Sequence, residues 1–342
     1  IQNIYINMRH AWAEELTVSP SGAVDEFRRK IARNDYPMMA IWEMGIRGLR
    51  VPIQDLEDEK TRRRMGLMRD LGHNFHVYVY DIPTVEQISL IRENTHLISQ
   101  LEIVISWDKI TEYTKVLNDL TNQFRLDIIL SRVNRKDSAK TSGGKFNHLI
   151  SHGFSLSETG ELSNFLSDNK HLVSGVQFTI TRGDCPWKAS ELVQKFANAT
   201  GCTPYLYVKS TEASPAERFD DEISNTLRFG DTCLAAIGNN VNVIIDTFDD
   251  ADRGYFTRTG LVDRRFNPRV ASNIVSELIQ RLGMDGPWQV KQDNNTYRLI
   301  NSQNKTIRVG LEKSLNSGEK LINPFTGRED KAYEPSVYII EG

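Results

Sequence analysis

The feature that most constrains this chain is an alternation that repeats almost to its end. Short runs rich in β-branched and aromatic residues fall at Ile4–His10, Leu49–Ile53, Asn74–Asp81, Leu101–Trp107, Leu126–Val133, Gly175–Thr181, Pro204–Ser210 and Val241–Phe248. Between them apolar residues recur at helical spacing over Glu59–Leu71, Thr84–Glu93, Ile110–Gln123, Glu158–Ser167, Lys188–Ala199 and Asp221–Ile237, and a last helical pattern covers Pro268–Leu282. Strand–helix units of about 25–45 residues, eight times over about 280 residues, are the arithmetic of a (β/α)8 barrel. An open doubly wound sheet would show fewer strands and a glycine-rich phosphate turn after the first, and neither is present.

The tail departs from this rhythm. Trp288–Lys291, Thr296–Asn301, Thr306–Leu311 and Ser336–Glu341 read as short strands separated by Asn-Asn, Ser-Gly and Pro-Phe-Thr-Gly turns. So small a β unit is marginal alone and is expected to pack on the barrel. The predicted fold class is therefore α/β, a (β/α)8 TIM barrel over residues 1–284 with a small C-terminal all-β appendage over 285–342.

Composition excludes several classes. With 39% hydrophobic and 25% charged residues the chain can bury a large core. Its 42 Lys+Arg against 45 Asp+Glu, a net charge of -3, give no basic excess for nucleic acid. No apolar run reaches the ~18 residues of a membrane span. Cys185, Cys202 and Cys233 match no zinc or CxxC spacing and read as scattered thiols, with one bridge left open. The sequons at Asn198, Asn294 and Asn304 are compatible with secretion, so an extracellular or periplasmic location is the expectation. Because the sequence opens on Ile1 rather than Met, a preceding segment, and with it an upstream domain of the same polypeptide, is also expected.

Strand parity then locates the polar residues. Alternate residues of a barrel strand face the interior, and chemistry gathers at the C-terminal strand ends. Parity turns inward Tyr5, Asn7 and Arg9; Arg50; His76, Tyr78 and Tyr80; Glu102, Val104, Ser106 and Asp108; and, less sharply, Asp127 and Ser131. The same reading gives Gln177, Thr179 and Thr181; Tyr205, Tyr207 and Lys209; and Asn242, Ile244 and Asp246. The upper end thereby collects Arg9, His10, Arg50, Asp81, Asp108, Arg132, Arg182, Lys209, Glu212 and Asp246. Buried charge is costly unless it is paired or functional, so these residues form either an ion-pair lattice closing the barrel or a substrate pocket. The pocket is the preferred reading.

Other motifs carry less. Scattered histidines without HExxH or HxH argue against catalytic zinc, and Ser142-Gly-Gly-Lys-Phe146 lacks the phosphate-loop spacing. No metal and no cofactor are therefore expected. The stretch Asp246–Arg258 is dense in charge; it reads as an Asp–Arg network with Arg253, Arg258, Arg264 and Arg265 rather than a Ca²⁺ loop. Trp12, Trp42, Trp107, Trp187, Phe248 and Tyr255 fall in or near the upper loops by this reading; any single ring is expected to pack in the core, but several on one rim would offer faces that stack on sugar rings.

Three stretches resemble the (β/α)8 glycoside hydrolases of the large retaining superfamily. Gly48-Leu-Arg-Val-Pro-Ile is similar to a second-strand motif whose arginine sits beside the nucleophile, and Ser210-Thr-Glu212 to the strand-seven "TE" that supplies that nucleophile. Gly260-Leu-Val-Asp-Arg-Arg-Phe-Asn-Pro-Arg-Val-Ala271 resembles the lead into the family's last helix. The resemblance implies Glu212 as nucleophile, oriented by Arg50. The family's strand four ends in Asn-Glu, the Glu being the acid/base; this chain has Ser106-Trp107-Asp108, which makes Asp108 the candidate acid/base with a shorter arm.

The expected function is accordingly hydrolysis of a glycosidic bond in an oligo- or polysaccharide, with substrate contacts from Arg9, His10, Arg50, Asp81, Trp107, Arg132, Arg182, Lys209 and Asp246. The cations favour an anionic sugar, a uronate or sulfated residue. Two alternatives stand beside it: a non-catalytic barrel that binds glycan or protein within a longer enzyme, and a lyase or aldolase working through Lys209.

Overall fold

The computed structural model describes residues 3–9, 12, 15–18, 30–32, 34–133, 152–169, 171–211, 221–246, 248–250, 259–294, 296–311, 314–331 and 337–342. Eight parallel strands close into a barrel: β1 (Ile4–Asn7), β4 (Gly48–Pro52), β5 (Asn74–Tyr80), β6 (Ile98–Ile105), β7 (Asp127–Arg132), β8 (Gly175–Ile180), β9 (Thr203–Val208) and β10 (Asn242–Ile245), which pairs back onto β1. A small antiparallel hairpin, β2 (Leu16–Val18) and β3 (Lys30–Ala32), lies in sequence between β1 and α1. The outer layer holds α1 (Tyr36–Met44), α2 (Gln54–Glu57), α3 (Glu59–Asp70), α4 (Val85–Glu93), α5 (Ile110–Gln123), α6 (Thr159–Asp168), α7 (Pro186–Thr200), α8 (Glu222–Asn239) and α9 (Val270–Met284).

Each of the eight strands falls where the apolar runs predict it, with ends shifted by a few residues. The outward positions Ile103 and Ile105, Leu206 and Val208, and Val243 and Ile245 pack into the main hydrophobic core between sheet and helices. Removing each such side chain from water contributes about 1.5–3 kcal/mol. Inside, Tyr5, Ile129, Tyr205, Tyr207 and Ile244 make a second, smaller cluster. Two glycines create room for its rings. A Cβ on Gly48 would lie 2.5 Å from the Tyr5 ring, and one on Gly175 would lie 2.8 Å from Ile129 and 3.2 Å from the Tyr205 ring. On β7 the inward positions are Ile129 and Ser131, whereas Asp127 sits exposed where the strand begins.

Helix ends follow their sequence signals. Proline opens α7 and Gly201, at φ 76°, closes it; the Asp221 carboxylate caps α8 by accepting from the amides of Ile223 and Ser224. The sequence pattern does not reveal α1. Its Pro37 lies in the first turn, and Tyr36, Met39 and Trp42 are exposed, which blurs the apolar face.

Beyond α9 the chain forms a six-stranded antiparallel sheet: β11 (Trp288–Asp293), β12 (Thr296–Asn301), β13 (Thr306–Gly310), β14 (Lys320–Asn323), β15 (Arg328–Glu329) and β16 (Tyr338–Glu341), in the order β11-β12-β13-β16-β14-β15. It packs on the barrel through α7, α8 and α9. The Trp187 ring meets Tyr297 at 5.6 Å in a T-shaped contact, and a Cβ on Gly238 would lie 2.6 Å from the same indole. Arg281 of α9 donates to Glu341 at 2.6 Å and to the Gly327 carbonyl at 2.8 Å. Among the described residues no helix is long and apolar enough to cross a membrane.

Candidate functional site

The interior of the barrel is organised around Arg50. Its Nε and Nη2 donate to the two oxygens of Glu102 at 2.7 and 2.9 Å, its Nη1 donates to Asn7 Oδ1 at 2.8 Å, and neither Arg50 nor Glu102 has any exposure. The Tyr78 ring lies 3.8 Å from the guanidinium carbon and Tyr207 lies at 5.3 Å. His76 approaches the same carboxylate, Nε2 to Glu102 Oε2 at 2.9 Å. Burial opposes ionisation of Glu102, but the Arg50 charge and the His76 hydrogen bond outweigh it and hold the carboxyl well below the usual range. His76 itself is pushed down, by burial first, so the imidazole is neutral at pH 7. The lattice reading of the inward charges is thus realised at this level of the barrel.

Above it, towards the C-terminal strand ends, lies a second constellation. The Tyr207 hydroxyl donates to Asp246. Burial, then the Asp246 charge, raise the Tyr207 phenol well above its ordinary value. The His152 ring stands 4.7 Å from Tyr207, 6.2 Å from Tyr78 and 6.4 Å from Tyr80. Burial and the positive charge of Arg50 push its pKa well down. With Gln177 Nε2 donating to Nδ1 at 3.3 Å, the neutral ring carries its proton on Nε2. Three buried polar atoms near these groups, Ser131 Oγ, Gln177 Oε1 and Thr179 Oγ1, have no protein partner.

The rim cations are engaged. Arg132 donates to Glu158 Oε2 through Nε at 3.0 Å and Nη2 at 2.6 Å. Arg182 donates to the Ser210 carbonyl at 3.0 Å and to Asn225 Oδ1 at 2.6 Å. Arg228 of α8, absent from the sequence-based set, ties the strand ends together. It donates to the carbonyls of Lys209, Thr181, Asp184 and Arg182 at 2.9, 2.7, 2.8 and 3.3 Å. This fixes the backbone through Lys209, with Ser210 and Thr211 buried behind it.

Asp81 and Asp108 stand apart from this centre. Asp81 is exposed at the end of β5 with φ 62°, a strained value for a non-glycine residue. Its carboxylate accepts from the Ile82 amide at 2.8 Å and from the Tyr113 hydroxyl. Asp108 is exposed on a single 3-10 turn, Trp107–Lys109, beyond β6, rather than on the strand's inward face. Burial and the neighbouring Asp81, Glu112 and Asp108 push the Tyr113 phenol up to about 12. Arg9 follows β1 at the same end and is half-buried. Lys209 is also half-buried, with its amide donating to the Ile180 carbonyl at 3.0 Å. His10, Tyr255 and Glu212 lie outside the described residues, so the Glu212–Asp108 separation does too.

The aromatic rim is corrected in most of its members. Trp107 packs edge-on against Phe154 and Phe165 at 5.1 and 5.2 Å and donates to Glu161, on the helix side of the sheet. Trp12 is buried and donates to Asp55 at 2.8 Å. Trp187 is buried under the C-terminal sheet, and Phe248 is core beside Phe266. Trp42 lies beside Arg47 and His73, which precede β4 and β5, and so belongs to the opposite end of the barrel. For Trp12, Trp107, Trp187 and Phe248 packing of a large ring prevails over display; Trp42 is exposed, but at the wrong end.

The charged loop is corrected in part. Asp250 pairs with Arg269, a cation outside the expected network, and accepts from the Gly260 amide at 2.8 Å; Arg253 and Arg258 lie outside the described residues. The three cysteines are free thiols, and among the described residues no group of three or more His, Cys, Asp or Glu is placed to hold a metal ion. His152, Glu158, Tyr113 and Arg228 are missed by the sequence reading. Parity speaks only for strand residues, and these sit on helices and connections; His152 pairs with Val133 through an isolated bridge.

No protein family matches the chain by sequence, and no curated protein does either. Solved structures do. SrfJ from Salmonella typhimurium matches over 90% of this chain and 83% of its own, with TM-score 0.53 and 8% identity. An endo-β1,6-glucanase matches over 87% of this chain and 83% of its own, with TM-score 0.49 and 10% identity. Active domain 2 of a thermostable chitinase from Pyrococcus furiosus matches over 84% of this chain and 98% of its own, with TM-score 0.46 and 10% identity. At such identities the likeness is one of fold. In architecture the chain is a (β/α)8 barrel with an appended antiparallel sheet.

Proposed function

We propose that this chain is a carbohydrate-active barrel that binds an oligo- or polysaccharide at the C-terminal end of its strands and hydrolyses a glycosidic bond. The observation that carries the reading is the Tyr207–Asp246–His152 constellation, Tyr207 and His152 buried and Asp246 half-buried, at the end where barrels of this kind place their chemistry, with the Tyr207 phenol raised and the His152 imidazole lowered from their ordinary values. Glu212 would attack the anomeric carbon while Asp108 protonates the leaving oxygen; water then resolves the glycosyl intermediate with Asp108 as base. Arg228 and Arg182 support this assignment by holding the chain up to Thr211, the residue before Glu212. A preference for a uronate or sulfated sugar belongs to the same proposal. It rests on the positive charge gathered at this mouth, to which Arg9 and Lys209 contribute.

One observation favours a second reading, a barrel that binds glycan without cleaving it. Arg50, the residue implied to orient the nucleophile, directs its guanidinium to Glu102 and Asn7, and Asp108 stands exposed beyond the strand. Reducing-end release over neutral, uronic and sulfated glycans, with Glu212→Gln and Asp108→Asn as controls, separates the two. Hydrolysis lost in Glu212→Gln supports the first; binding without hydrolysis supports the second. Neither binding nor hydrolysis by any glycan overturns both.

A further inference from the structure

A cleft opens at the other end of the barrel, where strands β9 and β10 begin. Its cavity volume is about 310 Å³, and it is lined by Gln194 and Asn198 of α7, Asn240 and Asn242 around the start of β10, and Cys202 and Pro204 around the start of β9. That volume is at the small end of the ~300–1,000 Å³ typical of ligand pockets. The lining contains no charged side chain. Four carboxamides line it instead, Gln194 and Asn242 half-buried and Asn198 and Asn240 exposed, each carrying one acceptor and two donors on a planar group, with Asn242 donating to the Pro204 carbonyl at 3.4 Å. Gln194 donates to Asn198 Oδ1 at 3.4 Å, which leaves Gln194 Oε1 buried without a protein partner. A buried carbonyl oxygen of this kind is destabilising until a donor reaches it.

We infer that this cleft is a second binding site, remote from the C-terminal mouth, for a neutral polyhydroxylated ligand such as a sugar ring. Adjacent hydroxyls, each both donor and acceptor, satisfy carboxamides pairwise. Cys202, Pro204 and the neighbouring Ala197 offer a small apolar surface to the C–H face of the ring. A charged ligand would enter the cleft without a counter-charge and lose its hydration uncompensated, so it is disfavoured. With no aromatic platform in the lining, binding is weak, in roughly the millimolar range. The inference does not depend on hydrolysis at the other end.

The test uses the whole chain and a panel of glucose, galactose, mannose, N-acetylglucosamine and their disaccharides, with glucuronate as the charged counterpart. Side-chain amide resonances of Gln194, Asn198, Asn240 and Asn242 are followed by NMR, and alkylation of Cys202 is followed by mass spectrometry, with Cys185 as the thiol outside the cleft. At least one neutral sugar is expected to shift these resonances and slow alkylation at Cys202 but not at Cys185. The double variant Gln194→Ala, Asn198→Ala, both at positions where alanine suits the helix, is expected to weaken that sugar about tenfold, the loss of one or two net hydrogen bonds. It should leave glycan binding at the C-terminal mouth unchanged. No shift with any neutral sugar, equal shifts with glucuronate, or shifts that persist in the double variant would each overturn the inference.

Discussion

Arg50 and Glu102 face each other across the inside of the barrel, from β4 and β6, two strands apart in the closed sheet. They share two hydrogen bonds of 2.7 and 2.9 Å, and no surface of either touches solvent. Pairs so placed gain little over well-packed apolar residues, yet removing one partner strands the other.

Glu102→Gln should therefore destabilise the fold by about 3–5 kcal/mol in denaturant unfolding at pH 7. The pH dependence has a defined sign. A carboxyl held below its unfolded value contributes stability that is present above the usual carboxylate range and is lost as pH falls through it and below. Wild type should weaken on acidification in a way the Gln variant does not. If the two unfold in parallel from pH 7 to pH 3, the pair is not coupled as described.

Asp231 behaves in the opposite way. It sits on α8 beneath the C-terminal sheet, near the Tyr297 hydroxyl, and burial pushes its carboxyl up from 3.8 to about 6. Its contribution is fully present below the unfolded value and is lost as pH rises through about 6. Asp231→Asn should be more stable than wild type by about 1–3 kcal/mol at pH 8, with the gap closing below pH 4. Melting curves across that range decide it; a constant gap contradicts the assignment.

Arg228→Lys replaces a fork that reaches four carbonyls with a single ammonium. A loss of about 2–4 kcal/mol is expected. Hydrogen exchange should quicken at the Lys209 and Arg182 amides, which donate to Ile180 and Thr211, more than at β4 amides. Uniform acceleration would mean that the residue acts on the fold as a whole.

Tyr207→Phe removes the hydroxyl that donates to Asp246. Glycan turnover, or binding if turnover is absent, should fall about tenfold, while stability drops by only about 1 kcal/mol. Unchanged glycan affinity and turnover would place the functional centre elsewhere on the rim.

Much of this was legible in the sequence because a barrel strand obeys a period of two. Parity places Arg50, His76, Glu102, Gln177, Tyr207 and Asp246 inside, and the structure brings them together through hydrogen bonds and ring contacts. Parity fails at two positions, one at the start of a strand and one beyond its end. Asp127 and Asp108 continue the inward alternation on paper, but Asp127 only begins its strand and Asp108 sits in a helical turn after it. The aromatics depart from the expected rim for another reason. Position near a loop says nothing about whether Trp107 or Trp187 has a packing partner, and Phe154, Phe165 and Tyr297 supply those partners from distant segments. Charge was visible, but pairing was not: Glu158 satisfies Arg132 from 26 residues away.

Helix α8 carries Arg228 and Asp231 less than one turn apart. The first grips the carbonyls at the mouth of the barrel, and the second lies under the appended sheet beside Tyr297. One rod is therefore clamped at both tasks. The carbonyls that follow β8 and β9 and the appended sheet share one support, and whatever holds α8 in place holds both.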